Sequence, residues 1–301
     1  MNWTEKYRPK RISDIVGQQK FTQDAQSWIC HGEMPNILIH GDAGTGKTTA
    51  AHALANEILG ESKPLNFIEI NASQDRKLDT IRNTISNFAT TKGTDDVPFK
   101  ICFLDEIDGM TKDSQRALKR TMERAINVRF IITCNEQQDV EYPIRSRCAN
   151  YHFPPLKVES MYKVLTDIVC GENYEVSSSD LMKYCESING DMRRAINELQ
   201  ACAFSESPLI EKTKDFMNDY YNIIGHLVDG SIYEANTLLL EEILSGRSVK
   251  EICSNLHHCV LEMEIDKSTM FKCLNHIGEL EWRGKSMTPK IVVSWFASQF
   301  N

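Results

Sequence analysis

The stretch "NILIHGDAGTGKTTAAHALANEIL", residues 36–59, decides the fold. Residues 36–41 form a short apolar run of strand type, and residues 46–59 carry helical spacing. Between them "GDAGTGKT" (41–48) fits G-x-x-x-x-G-K-[ST]. A glycine-rich turn from strand into helix can aim its backbone N–H groups at a phosphate. Gly41, Gly44 and Gly46 let the chain bend, and Asp42, Ala43, Thr45 and Thr49 complete the candidate cradle. The Lys47 ammonium can neutralise β- and γ-phosphates, and the Thr48 hydroxyl can bind Mg²⁺. A strand–helix turn that holds no ligand is the alternative.

Outward from this loop the pattern repeats. "NFIEIN" (66–71), "KICFLDE" (100–106) and "RFIITCN" (129–135) read as buried strands, and "LDTIRNTISNFA" (78–89) as a helix. Strands alternating with helices imply a parallel sheet covered on both faces, with ligands at the carboxyl ends of the strands. After "FPPL" (153–156) the chain reads as three helices, the second capped by Ser178 or Ser179. Beyond Pro208 it reads as further helices. The expected plan is an α/β domain (1–155), a small helical lid (156–207) and an all-helical C-terminal domain (208–301).

The 301 residues suffice for such a plan, and the 41% hydrophobic and 25% charged composition is ordinary for a globular protein. A net charge of −8 argues against a freestanding nucleic-acid-coating protein but leaves room for a local basic surface. No apolar run approaches membrane-spanning length, and "MNWTEKYRPK" is charged where a secretion signal is apolar. The ten cysteines contain no C-x-x-C pair, which fits buried thiols in a reducing, intracellular compartment.

Three further positions stand at strand ends. Asp105 closes "ICFLD" and can hold the Mg²⁺ shell; Glu106 follows, placed to orient or deprotonate an attacking water. Asn135 closes "ITCN", where an amide can bond a γ-phosphate or that water, although an asparagine opening a surface turn is the plain alternative. Asn71 closes "IEIN" and is a candidate switch that holds Glu106 inactive.

These motifs, in this order, resemble the AAA+ ATPases, and the surrounding residues are similar to clamp-loader small subunits of the replication factor C type. "WTEKYRPKRISDIVGQ" (3–18) looks like that family's adenine-binding segment, which marks Tyr7, Arg8, Pro9, Val16 and Gly17. "INASQDRKLDTIRNTISNFA", "DSQRALKRTMERAINVRFIITCN", "IRSRC" (144–148) and "GDMRRAINELQ" match further family segments. The departures are small. The P-loop lacks the usual prolines, Ile107 stands in "DEID" where alanine is common, and Glu136 follows Asn135 where an aromatic is common. None removes a catalytic group.

The resemblance implies an ATPase using ATP and Mg²⁺ at the site of DNA replication, in cytoplasm, nucleoid or nucleus. Its implied partners are other clamp-loader subunits in a pentameric ring with a distinct large subunit, a ring-shaped sliding clamp, and primer–template DNA. Arg147 of "IRSRC" would reach a neighbouring subunit's ATP, an arrangement that makes hydrolysis depend on assembly. From the residues alone "IRSRC" reads as readily as a solvated basic loop, and Arg145 has no specific role. Arg193 of "GDMRR" matches the position that touches the γ-phosphate from the lid, with Arg194 the adjacent alternative.

On a helix, Lys112, Arg116, Lys119 and Arg120 share one face, with Glu123 among them, while Leu118, Met122 and Ala125 face the core. Arg76, Lys77 and Arg82 add basic charge nearby. A solvated surface is the plain reading; in clamp loaders these regions line a path along DNA phosphates. Cys253, His257, His258 and Cys259 lack zinc-site spacing. A branch-migration motor would carry a winged helix where residues 209–301 read as helical, and a non-hydrolysing scaffold would lack one of the intact motifs.

Overall fold

The computed structural model describes residues 2–72, 78–91, 97–188, 190–205, 209 and 211–300, the side chains of 78–80 and 211–218 excepted. Two compact units divide the chain, Met1–Glu206 and Ser207–Asn301. The expected 1–155 and 156–207 segments thus share one unit, and the second begins one residue before the expected 208.

The first unit opens with α1 (Trp3–Lys6), α2 (Gln19–His31), β1 (Ile37–His40), α3 (Lys47–Leu59), α4 (Lys63–Asn66) and β2 (Phe67–Asn71). It continues with α5 (Leu78–Thr90), β3 (Lys100–Asp105), α6 (Lys112–Arg124), β4 (Val128–Cys134), α7 (Tyr142–Arg145) and β5 (Ala149–His152). Five parallel strands lie in the order β2-β3-β4-β1-β5.

Alternation along the strands sorts the core into two layers. Ile37, Ile39, Ile101, Phe103 and Ile131 face α2 and α3, where Phe21, Ala51 and Leu54 cover them. Leu38, Cys102, Leu104, Phe130 and Ile132 face the other way, against Ile81, Ile85, Leu118 and Met122 of α5 and α6. Helices on both faces of a parallel sheet leave its carboxyl ends open, the place where α/β sheets bind ligands. The P-loop follows β1, which lies between β4 and β5.

The unit ends with α8 (Val158–Glu172), α9 (Ser178–Ser187) and α10 (Met192–Ser205). The cap of α9 is Ser177, not Ser178 or Ser179: Ser177 has extended dihedrals and its hydroxyl accepts from Asp180 N at 3.1 Å. The two later serines already lie at the helix start. The N-terminal segment is fastened to these helices. Trp3 N donates to Gln200 Oε1 at 3.0 Å, Lys6 pairs with Glu172 at 2.6 Å, and Tyr7 Oη donates to Glu172 at 2.9 Å. The Lys6 ammonium holds Glu172 below the usual carboxylate range, and burial, with the bond to Glu172, raises Tyr7.

The second unit contains α11 (Glu211–Val228), α12 (Ile232–Leu244), α13 (Val249–Glu262), α14 (Lys267–Gly284) and α15 (Pro289–Ser298), and no strand among the described residues. Tyr220, Leu239, Leu256, Leu280 and Phe296 are in its core. Cys253 and Cys259 are buried there, whereas His257 and His258 are exposed. Ser248 and Glu251 make a reciprocal capping box at the start of α13. Among the described residues no helix is long and apolar enough to cross a membrane.

Candidate nucleotide site

The P-loop runs from the end of β1 into α3. Gly41, Gly44 and Gly46 take φ of +150°, +75° and +96°. Gly44 is fixed by space as well: a Cβ there would lie 1.7 Å from Asp191 Oδ1. Asp191 caps α10 by accepting from Arg194 N at 2.9 Å, and Met192 N donates to Gly44 O at 3.3 Å. The start of α10 therefore rests directly on the loop, a contact only glycine permits.

Lys47 Nζ donates to Gly41 O (2.7 Å), Asp42 O (2.9 Å) and Asn135 Oδ1 (3.3 Å). Burial lowers its pKa, against an opposing pull from nearby acids that include Asp105 and Asp108. Thr48 Oγ1 donates to Asp105, 3.3 and 3.2 Å from its two oxygens. The Thr133 hydroxyl also donates to Asp105 and accepts from Glu106 N at 3.1 Å. Glu106 stands in the left-handed region, φ 57°, ψ 50°, rare for a side-chain-bearing residue and often found at functional sites. Asn135 is anchored by Asp108, whose Oδ2 accepts from its backbone N (3.1 Å) and side-chain Nδ2 (3.2 Å).

These groups line a cleft of about 740 Å³. Tyr7, Arg8, Pro9 and Val16 line it from the N-terminal segment, and Ala43, Gly44, Thr45, Gly46, Lys47, Thr48 and Thr49 from the loop and α3. Asp105, Glu106 and Asn135 come from the strand ends, and Arg193 from α10. Arg194 turns away to pair with Glu198 at 2.8 Å. Three residues expected to bind nucleotide do not line the cleft. Gly41 and Asp42 shape the loop and supply carbonyls to Lys47. Gly17 packs instead: at φ +79° its absent Cβ would meet Leu156 Cδ2 at 2.5 Å.

Lining that sequence reasoning missed comes from α8 (Val164, Asp167, Ile168) and from Thr133, Leu156, Ile196 and Asn197. The donor set fits a magnesium nucleotide. A hydroxyl and a carboxylate side by side suit a small hard cation that keeps several waters. A cleft with amides and Lys47 at one part and Tyr7, Val16 and Ile168 at another suits phosphates and a base.

Asn71 pairs in register with Asp105, one residue before Glu106. Arg147 is absent from the lining of its own cleft. It donates to Glu123 Oε1 at 2.5 Å and to Pro143 O at 2.8 Å. The neighbouring Cys148 thiol is pushed up to about 12 by burial. Arg145 Nε is buried with no partner among the described residues, and nothing assigns it a role.

The α6 face is less positive than its spacing implies. Lys112 donates to Asp139 O at 2.9 Å, Arg116 pairs with Glu141 (3.2 Å) and Asp113 (3.3 Å), and Lys119 lies 3.9 Å from Glu123. Arg120 is exposed on the same helix and Arg82 on α5, while Arg76 and Lys77 lie outside the described residues.

The family model described as "ATPase family associated with various cellular activities (AAA)" matches residues 37–156. The replication factor C small subunit of Methanothermobacter thermautotrophicus is 38% identical, over 99% of this chain and 97% of its own. That of Methanocella arvoryzae is 37% identical, over 93% and 90%.

The chain belongs to the replication factor C small subunit family. It is an AAA+ ATPase of the clamp-loader type, acting in DNA replication. Among solved structures, the Thermotoga maritima RuvB Holliday junction branch migration motor is 16% identical with a TM-score of 0.58, covering 88% of this chain and 91% of that one. At that identity the likeness is one of fold alone. The five-stranded parallel sheet flanked by helices is thus that of the AAA+ fold.

Proposed function

We propose that this chain is one subunit of a clamp-loader ring whose ATP sites are completed across subunit boundaries. The observation that carries the reading is the separation of its functional side chains. Lys47, Thr48, Asp105, Glu106, Asn135 and Arg193 converge on one cleft, and Arg147 lies outside it. An intact hydrolytic set with an arginine aimed elsewhere suits a finger delivered to a neighbour, where it stabilises charge on the transferred phosphoryl group.

Bound MgATP supplies the phosphoanhydride and the cation that shields its charge. The chain's own residues do the remainder. Lys47 gives its ammonium to phosphate in place of the Gly41 and Asp42 carbonyls. Thr48 and Asp105 hold the metal shell. Glu106 takes a proton from the attacking water, and Asn135 orients it. Arg193 registers closure of the lid on the P-loop. Asn71, beside Asp105 on the next strand, is a candidate restraint on Glu106.

In this reading residues 208–301 form the oligomerising domain, ATP binding favours assembly with and opening of a ring-shaped clamp, and primer–template DNA triggers hydrolysis and release. Other subunits, a distinct large one among them, complete a pentamer in a reducing compartment. DNA meets Arg120, Lys119, Arg116, Lys112 and Arg82 through its phosphates. Affinity should therefore fall steeply with salt and ignore sequence.

The test is ATP turnover by the isolated chain and by the complex assembled with its partner subunits, with and without primed DNA and clamp. The isolated chain should be a poor enzyme, and Arg147→Ala should depress the complex without weakening ATP binding to the same chain. Arg193→Ala should weaken ATP-dependent clamp binding where Arg194→Ala does not. Full turnover by the monomer overturns completion in trans.

A further inference from the structure

Arg147 is not free in the chain that carries it. Its Nη2 donates to Glu123 Oε1 at 2.5 Å and its Nη1 to Pro143 O at 2.8 Å. Glu123 lies in the last turn of α6, one turn beyond Lys119, whose Nζ is 3.9 Å from the same oxygen. One carboxylate oxygen thus faces two cations, the finger and a candidate phosphate-binding lysine. The chemistry of that shared oxygen joins the helix read as the DNA face to the turn read as the trans finger.

We propose that Glu123 is a positioning residue for Arg147, holding the finger on its own chain until an anion on α6 weakens the hold. The proposal rests on the reading of Arg147 as a trans-acting finger. A guanidinium carries five N–H donors in a fixed fork, and here both terminal nitrogens are engaged within the chain. Arg147 must exchange Glu123 for phosphate before it can serve a neighbour. The exchange is easy, because side-chain exposures of 34% and 45% leave the pair screened by water. A DNA phosphate drawn to Lys119 sets a second negative charge beside Glu123. Like charges repel, so the exposed carboxylate swings away from the phosphate into water, and that movement breaks its contact with Arg147.

The consequence is kinetic. The Glu123 hold should slow hydrolysis when no DNA is present and matter little once DNA is bound. An exposed pair is weak, so the effect is about two- to fivefold rather than orders of magnitude. Glu123 lies at the surface, so Glu123→Gln should fold.

The experiment measures steady-state ATP turnover of the complex assembled with its partner subunits, without DNA and at saturating primed DNA, for wild type and four variants. Glu123→Gln should raise the DNA-free kcat about two- to fivefold. ATP KM and the DNA-saturated kcat should hold, so DNA stimulation shrinks by the same factor. Glu123→Asp should restore the wild-type ratio, and Glu123→Gln combined with Arg147→Ala should be no faster than Arg147→Ala alone. An unchanged DNA-free rate in Glu123→Gln, with Arg147→Ala impaired, overturns the proposal and leaves the finger standing. Arg147→Ala at wild-type rates overturns the finger itself, and the proposal with it.

Discussion

Replacing Thr133 by valine probes the centre of the site while leaving Lys47 and the P-loop in place. Thr133 is 1% exposed, and its hydroxyl serves both acids: it donates to Asp105 and accepts from Glu106 N at 3.1 Å. Valine keeps the shape and removes the oxygen. Asp105 then loses a hydroxyl donor, and the Thr133 contact to the Glu106 N–H goes with it, beside a backbone in the left-handed region. Losing a hydrogen bond to a charged carboxylate costs about 1.5–3 kcal/mol. A unit of this size loses about 2–4 °C of Tm per kcal/mol, so a fall of several degrees is expected by calorimetry.

Activity should suffer more than stability. Glu106 is no longer fixed, and small misplacements at a reacting centre cost up to about a hundredfold in rate. In the assembled complex with primed DNA, kcat should drop at least about tenfold. ATP affinity should stay within about twofold, because Lys47 and the loop amides are untouched. Thr133→Ser keeps the hydroxyl and should retain most of both properties. Wild-type Tm and kcat in Thr133→Val, or an equal loss in Thr133→Ser, would refute the argument that the hydroxyl aligns the acids.

Three other outcomes follow from named contacts. Gly44→Ala, strained at φ +75°, forces the P-loop off the Asp191 carboxylate that caps α10 and should weaken ATP binding at least about tenfold; unchanged affinity in a titration would contradict the close contact. Gln115, fully buried, donates to Ile107, Met110 and Asp139 carbonyls and accepts from Glu141 N at 2.7 Å. Gln115→Leu should cost about 1–3 kcal/mol in denaturant unfolding, and a neutral result would argue against that network. Cys148 has its thiol pKa raised in the fold, so its contribution is whole below the ordinary value near 9 and is lost as pH rises toward about 12. Wild type should lose more stability across that window than Cys148→Ala, and parallel curves would speak against a buried thiol.

The legible parts of the fold were those with strong local signals. Strands β1 to β4 are apolar runs closed by turn residues, and the helices covering them keep a clean buried face. β5 is "ANYH", four residues on a sheet edge with only Tyr151 buried, so its pattern is too short and too polar to read. In the site, the loop, Asp105, Glu106 and Asn135 followed from motif and position. Thr133 could not be read that way. It matters because parallel pairing sets it one residue past the Leu104–Ile132 pair, beside Asp105. Asp108 likewise acquires its role by reaching Asn135, the residue after β4. Val164, Asp167 and Ile168 reach the cleft because α8 folds over it, a relation no local spacing encodes. The α6 face shows the reverse failure. Helical spacing gathers its basic residues correctly, but Glu141 and Asp139, which temper two of them, come from the segment before α7.

Seven of the ten cysteines are buried and Cys148 is intermediate, which leaves Cys30 and Cys170 exposed. Cys30 belongs to α2, against the sheet; Cys170 belongs to α8, among the helices that close the cleft. The native chain therefore carries two natural attachment points for a donor and an acceptor dye, one on a helix covering the sheet and one on a helix that lines the cleft. The spacing of those two helices, with and without ATP, becomes a distance that energy transfer can follow in real time, with no residue replaced.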